Sequence, residues 1–362
     1  MSLLTEHSAK IKIDLPEGVV HKQMSTFYNP VMVSNRNISV LLLNCLDKTQ
    51  LKIADPLAGS GIRSLRFLQE LKKNKIKELH INDFKDNFRK TFTENLKLNK
   101  IKKSSKIILH QEEATSFLNQ SQGFDYIEID PFGSPNPFLA AAVNRISRGG
   151  ILAVTATDTA ALTGTYPKVT KRKYWAKSLK NYLMHEIGLR ILIRKVQLQG
   201  IQFDKALTPI LAYHKDHYFR FYFRAEKGKE KCDKLIKQQQ YLLFCPHCLN
   251  FKTSPFNREK CSCGEEFHFA GPLWVGDLSE KALLQKMQEE NCFHEERDFL
   301  DLLASEISCV GFYDLHQLAG KLKHNPPRIE SVLKKVVGTR THFSLTGIKS
   351  KKSLAEIKKI IF

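Results

Sequence analysis

The chain has 362 residues, 42% of them hydrophobic and 26% charged, which excludes a disordered or fibrous polymer and leaves room for two domains with a sizeable core. No run of about 18 apolar residues occurs, so no membrane-spanning helix is expected, and residues 1–7 lack the basic-then-apolar pattern of a secretory leader. Lys plus Arg number 57 against 37 Asp plus Glu, a net charge of +20, and such an excess favours a polyanionic partner, most simply a nucleic acid.

Eight cysteines in this length do not make a disulfide scaffold, and four of them cluster at metal-like spacing. The composition therefore reads as a reducing, cytoplasmic compartment.

Residues 10–14 alternate as a short strand, and Phe27-Tyr28-Asn29-Pro30 follows in a loop. Ser34-Asn35 can cap a helix that runs to Cys45. Arg36 falls in the first turn of that helix, where the helix dipole disfavours a cation. A bound carboxylate or phosphate would relieve the conflict, but a solvated Arg36 is the simpler expectation.

A strand over 51–54 then enters Asp55-Pro56-Leu57-Ala58-Gly59-Ser60-Gly61-Ile62-Arg63, with a helix to residue 71. Further strands are expected at 78–82, 106–110, 125–129 and 150–157. Helices are expected at 85–98, after Glu113 and at 138–146. Strand and helix units at this spacing predict a Rossmann-like α/β sheet, parallel and covered on both faces. Residues 163–173 read as a polar, basic loop, and 175–199 as a long amphipathic helix. A closing hairpin is expected over 206–214 and 217–224. Its last strand puts Phe219, Phe221 and Phe223 on one face and Tyr218, Arg220, Tyr222 and Arg224 on the other, which reads as half-buried with a solvated outer side. The charged stretch 225–231 marks a domain boundary, giving domains 1–228 and 229–362.

The glycine loop lets a ligand approach the backbone at a helix start. It is not G-x-G-x-x-G and lacks the lysine of a P-loop, so dinucleotide and triphosphate readings are both weakened. Asp83 follows Gly61 by 22 residues at the end of the next strand, where a carboxylate can hold ribose hydroxyls. Glu113-Ala114, after the third strand, can bracket an adenine. The fourth strand breaks at Asp130-Pro131-Phe132-Gly133-Ser134-Pro135, a stiff loop at the carboxyl edge of the sheet. There Asp130 and a loop carbonyl can accept hydrogen bonds from an exocyclic amine while Phe132 stacks on the base. On this loop alone, Asp130 could equally cap the next helix. The four features together, in order and spacing, describe an S-adenosylmethionine-dependent methyltransferase acting on an exocyclic amine.

Cys245-Pro246-His247-Cys248 and, after twelve intervening residues, Cys261-Ser262-Cys263 resemble the two knuckles of a zinc ribbon. The second knuckle is one residue short, so His247 and His268 are spare ligand candidates. No nucleophile or base lies near, so the zinc is expected to be structural. Helices are expected around 280–288, 294–306, 313–322 and 329–336, followed by Thr341-His342-Phe343 and a basic tail. They would form either a winged-helix-like RNA-binding module or a helical packing domain.

Phe27-Tyr28-Asn29-Pro30, Asn35-Arg36, Gly61-Ile62-Arg63, Asn82-Asp83, Asp130-Pro131-Phe132-Gly133-Ser134-Pro135, the cysteine knuckles with Gly271-Pro272-Leu273-Trp274, and Arg340-Thr341-His342-Phe343 with Gly347-Ile348-Lys349 resemble the tRNA (guanine-26, N2)-dimethyltransferase family. The resemblance covers nearly the whole chain. It implies a class I methyltransferase domain with a terminal antiparallel hairpin and a smaller α+β zinc-containing domain that binds tRNA. It also implies transfer of one or two methyl groups to guanine N2 at position 26. Arg36, Gly59, Arg63, Asp83, Glu113 and Ala114 would bind S-adenosylmethionine, and Asp130, Pro131 and Phe132 would be catalytic. Cys245, Cys248, Cys261 and Cys263 would bind Zn2+. Lysines of 168–173 and of the C-terminal domain would meet phosphates, and no obligate protein partner is evident. The chain departs from the family at the shortened knuckle and at Ser350-Lys351-Lys352, where an acid is common. The rival readings are an amino-methyltransferase for another RNA or for DNA, and a non-catalytic tRNA-binding protein.

Overall fold

A computed structural model describes residues 2–13 and 28–361, so Phe27 of the Phe-Tyr-Asn-Pro motif lies outside the described residues. Where one strand was expected near the N-terminus there is a hairpin, β1 (Ser2–Glu6) and β2 (Ala9–Ile13), paired antiparallel from Ser2 with Ile13 to Glu6 with Ala9. The alternation in β2 buries Ala9, Ile11 and Ile13, as a half-buried strand requires.

Helix α1 (Val33–Cys45) follows a short turn started by the Asn29 side chain. The β-α run then proceeds as β3 (Leu51–Asp55), α2 (Ile62–Glu70), β4 (Ile76–Asn82), α3 (Phe88–Leu98), β5 (Ile107–His110), α4 (Ala114–Gln120), β6 (Phe124–Ile129), α5 (Asn136–Arg145) and β7 (Ile146–Ala156). Next come the short helices α6 (Thr159–Leu162) and α7 (Pro167–Tyr174), the long α8 (Met184–Ile201), and the strands β8 (Lys205–Lys215) and β9 (Tyr218–Lys227). The strand order is β5-β4-β3-β6-β7-β9-β8. The β3–β4, β4–β5, β3–β6 and β6–β7 pairs are parallel. The two residues between β8 and β9 are too few for a parallel crossover, so this pair is a hairpin. Chain order reverses between β3 and β6, and the carboxyl ends of those two strands therefore flank the crevice where open α/β sheets bind ligands.

Three expectations change in this part of the chain. The presumed loop 163–173 contains α7, which Pro167 opens in the position where a missing N–H costs nothing. The presumed helix from 175 begins only at Met184. Trp175 ends α7 in a left-handed conformation, and Lys177 exchanges backbone hydrogen bonds of 2.9 and 2.7 Å with Gly271. Finally, β9 is buried from Tyr218 to Phe223 on both sides, with Arg220 fully enclosed. Its alternation of aromatic and polar residues thus marks two covered faces instead of a solvated one.

Further along lie α9 (Lys229–Lys237), β10 (Gln239–Phe244), β11 (Phe251–Ser254), β12 (His268–Trp274), α10 (Lys281–Glu289), α11 (Arg297–Ser305), β13 (Tyr313–Asp314), α12 (Leu315–Leu322), α13 (Ile329–Val336), β14 (Thr339–Thr341), β15 (Ser344–Lys349) and α14 (Leu354–Ile361). Two antiparallel three-stranded sheets, β11-β10-β12 and β13-β15-β14, accompany these helices. The region is therefore α+β and not purely helical. The expected basic tail includes α14, which buries Leu354 and Ile357, exposes Lys359 and sends the Lys358 ammonium to the Cys248 carbonyl at 3.3 Å.

The chain divides into two compact units: Met1–Thr157, Tyr222–Lys227 and Lys286–Glu296 in one, and Asp158–Phe221, Gly228–Gln285 and Arg297–Phe362 in the other. The charged stretch 225–231 contains one of the passages between them.

In the first unit the awkward Arg36 finds a partner. Glu6 accepts from Arg36 Nε at 2.7 Å and Nη2 at 2.5 Å, and from Arg66 Nη1 at 2.9 Å. All three side chains are buried, and the Arg36 guanidinium lies 5.1 Å from the centre of the Tyr28 ring. So Arg36 is not solvated, and the carboxylate that offsets its unfavourable helix position comes from β1. Burial opposes the charge on Glu6, but the two guanidiniums outweigh it and hold the carboxyl at about 2, below its ordinary 4.5. A depressed carboxyl contributes stability that is complete above the unfolded-state value and disappears as pH falls through the folded one. Glu6→Gln should cost about 3 kcal/mol in denaturant unfolding, because it strands buried cations. It should also flatten the loss of stability between pH 4.5 and about 2 that the wild type shows.

Candidate active site

The glycine loop joins β3 to α2. Gly61 sits at φ 75°, and a Cβ there would lie 2.2 Å from the Phe92 ring, so no other residue fits. The Gly59 N–H donates to Asp83 Oδ2 at 2.8 Å, and Lys85 N–H to Asp83 Oδ1 at 3.2 Å. Burial raises the Asp83 carboxyl above its usual range against these two bonds. Asn82, one residue earlier, bonds the Pro56 and Glu112 carbonyls and accepts from the Glu112 N–H, each at 3.0 Å. One buried amide thus ties the ends of β3, β4 and β5 together. Glu113 caps α4 by accepting from Ser116 N–H at 2.9 Å, and Ala114 is buried behind it.

Asp130 follows β6 directly. Its loop is pinned to the end of β7: Gly133 N–H donates to Thr157 Oγ1 at 2.7 Å, and Thr157 N–H to the Gly133 carbonyl at 3.0 Å. Gly133 supplies the positive φ of 78° that the turn needs. Phe132 is left 44% exposed at the tip, while Pro131 is buried. Asp130 does not cap the next helix, since α5 starts at Asn136 with Pro135 at its N-cap and no side-chain cap.

Asp130 is instead paired with Nη2 of Arg63, in the first turn of α2. Arg63 is 5% exposed and is held on every side. It donates to Ser39 Oγ at 2.7 Å and Asn35 Oδ1 at 2.9 Å, and its Nη1 lies 3.6 Å from Glu128 Oε2. Glu128 is fully buried and accepts from the Tyr126 hydroxyl at 2.7 Å. Nearby Asp55 accepts from Ser64 Oγ at 2.7 Å. Its burial, with the charges of Glu128 and Asp130, pushes its carboxyl up to about 7 despite the Ser64 bond and the Arg63 charge.

All nine residues expected at the cofactor and catalytic positions line one cavity of about 420 Å³, within the range of small-molecule sites. Its walls fit S-adenosylmethionine chemically: acids for the cationic parts, a carboxylate at the second strand for ribose hydroxyls, and a glycine loop a ligand can approach. Phe84, 62% exposed on the cavity wall beside Asp83, and Phe138 were not anticipated. Nor was the support of Arg63 by Ser39 and Glu128, which sit at no motif spacing. Arg63 therefore also reaches the Asp130 side of the cavity, beyond the cofactor role expected of it.

In the second unit, the Sγ atoms of Cys245, Cys248, Cys261 and Cys263 all lie within 4.8 Å of one another. The Cys245–Cys263 and Cys248–Cys261 pairs are both 3.5 Å apart. Four thiolates bound to zinc at about 2.3 Å would be about 3.8 Å apart, so little movement is required. The shortened knuckle still delivers both sulfurs, because Gly264, at φ 93°, turns the chain back and donates to the Cys261 carbonyl at 2.9 Å. His247 and His268 are not part of this cluster.

The family model for N2,N2-dimethylguanosine tRNA methyltransferase matches residues 7–362. A tRNA (guanine(26)-N(2)/guanine(27)-N(2))-dimethyltransferase of Aquifex aeolicus is 41% identical, over 99% of this chain and 95% of its own length. A tRNA (guanine(26)-N(2))-dimethyltransferase of Methanobrevibacter smithii is 36% identical, over 97% of this chain and 95% of its own length. Trm1 from Pyrococcus horikoshii, solved in complex with S-adenosyl-L-methionine, superposes over 100% of both chains with a TM-score of 0.89 at 31% identity. With the glycine loop, the strand-end acids and the Asp-Pro-Phe-Gly loop all at one cavity, the chain belongs to the N2,N2-dimethylguanosine tRNA methyltransferase family.

Proposed function

We propose that the chain transfers one or two methyl groups from S-adenosylmethionine to the exocyclic N2 of guanine 26 in tRNA. The observation that carries the reading is the single cavity into which Asp83, Glu113 and the glycine loop open from one side and Asp130 and Phe132 from the other. In this reading S-adenosylmethionine supplies an electrophilic methyl group on a sulfonium.

Asp83 takes the ribose hydroxyls, and the Glu113–Ala114 turn takes the adenine beside exposed Phe84. The target guanine leaves its stack at a cost of about a few kcal/mol, and Phe132 offers its open ring to the extruded base. Guanine N2 is a poor nucleophile, because its lone pair is delocalised into the ring. Asp130 and the Pro131 carbonyl accept the two N–H bonds and so turn the lone pair toward the methyl group. Arg63 fixes the direction of the Asp130 carboxylate. As N2 becomes cationic, Asp130 opposes the growing charge and receives the departing proton. No covalent intermediate with the protein is required.

The four-cysteine cluster is the place for a structural Zn2+, and thiolate ligands fit a reducing, cytoplasmic setting. Residues 229–362, together with the lysines of 168–173, are the parts we assign to tRNA contact. The Aquifex relative named for guanines 26 and 27 makes the neighbouring guanine a second candidate acceptor.

Labelled S-adenosylmethionine should methylate an unmodified transcript bearing guanine 26 and leave unlabelled one in which 26 and 27 are both adenine. Equal labelling of the two would place the acceptor elsewhere in the tRNA. Bound cofactor with no label on either would point to another RNA or to a purely binding role. Asp130→Ala should lower kcat by about 10²-fold or more, the scale of a lost general base, with cofactor affinity little changed by calorimetry. Near-normal turnover would remove Asp130 from the mechanism. Chelation should lower the melting temperature, and one equivalent of zinc should restore it. If the apoprotein melted as the loaded one does, the metal assignment would fail.

A further inference from the structure

Between Thr159 and His185 there is no acidic residue, while Lys168, Lys171, Arg172, Lys173, Lys177 and Lys180 contribute six cations. All six are exposed. Lys173 pairs with Asp158 at 3.0 Å, but Lys168, Lys171, Arg172 and Lys180 form no ion pair among the described residues. A solvated face normally mixes charge signs, and a face of one sign attracts anions of extended shape.

Two large aromatic side chains flank α7, and neither is used to build the core. Tyr166 is 58% exposed and Trp175 is 52% exposed. Trp175 is also held in place. Its backbone is fixed in the left-handed region with its N–H on the Lys171 carbonyl at 3.1 Å. The Arg194 guanidinium donates to its carbonyl at 3.4 Å. The ammonium of Lys195 lies 3.0 Å from the ring centre, so one face of the indole is occupied while half of the side chain stays open to solvent. Two residues on, Lys177 is bridged to Gly271 through both backbone groups, and its ammonium sits 4.2 Å from the centre of the Phe269 ring. An exposed tryptophan that is immobilised by its surroundings loses little freedom when a flat partner lands on it.

We propose that Trp175 is a base-stacking contact for tRNA: an unstacked nucleobase lies on its open face while the cations of α7 hold the flanking phosphates. This deepens the tRNA-binding reading above and rests on it. Exposed aromatics interleaved with cations are how proteins hold single-stranded nucleic acid, and a stacked base contributes about 1–3 kcal/mol, or roughly 5- to 150-fold in affinity. Stacking depends on the ring and not on charge, which separates it from the phosphate contacts.

The test is the affinity of the full-length protein for an unmodified tRNA transcript at several salt concentrations, with Trp175→Ala, Trp175→Leu and Trp175→Phe beside the wild type. We expect the Ala and Leu variants to bind about 10-fold more weakly, with the salt slope and the cofactor affinity unchanged, and Phe to restore most of the loss. A Lys171→Ala, Arg172→Ala double variant should instead reduce the salt slope by about 2. If Ala and Leu bind as the wild type does, the inference is overturned. If Phe is as weak as Ala and Leu, Trp175 acts by packing and the inference is overturned as well. A wild type that binds no tRNA would sink the broader functional reading, and this one with it.

Discussion

A buried guanidinium is costly unless its N–H groups find partners, and Arg63 is such a group. Removing a charge from water costs several kcal/mol unless the protein supplies hydrogen bonds of matching geometry. Here α1 supplies Asn35 and Ser39, and the end of β6 supplies Glu128 and Asp130. Because Arg63 rides on the first turn of α2, satisfying it fixes the distance between the glycine loop and the Asp-Pro-Phe-Gly loop. The two halves of the cavity are thus placed by one cation. It also offsets an excess of acid, since Glu128 and Asp130 converge on it beside Asp55, whose burial, together with those two charges, lifts its carboxyl to about 7.

The parallel sheet was readable because buried strands and the helices between them carry strong periodic signals. The site was readable for a related reason: strand-end residues in such a sheet share one edge, so an acid after each of several strands converges whatever the loop lengths. Nonlocal pairing was not readable. The partner of Arg36 is Glu6, thirty residues upstream on a strand with no motif of its own. The amphipathic pattern over 175–199 places Trp175 in a helix, but Lys177 is bridged to Gly271, nearly a hundred residues away, and the stretch after Trp175 is not helical until Met184. The β9 alternation looked half-solvated because sequence alone does not say whether a second layer covers the polar side.

The second unit shows another way of fixing a short segment. Gly271 belongs to β12, in the same small sheet whose turns carry the four cysteines. Three short strands have little core of their own, and the Zn2+ proposed for the four cysteines would tie two turns and offset that deficit. Lys177, bonded to this sheet through its backbone, inherits its rigidity, and so does the irregular stretch from Trp175 to the start of α8.

The first unit is assembled from distant pieces of chain. Ser34 donates to Glu296 at 2.7 Å, and Asn37 to Glu295 and Glu296 at 3.0 Å each. On the ribosome α1 is therefore made long before the carboxylates that satisfy its polar face. The delay is roughly 250 residues, or about 10–50 s at ordinary elongation rates. During that interval the nascent sheet carries an incompletely covered helix on a strongly basic chain. Order of synthesis thus delays completion of this unit until residues 286–296 have been made, a wait that a contiguous domain would not impose.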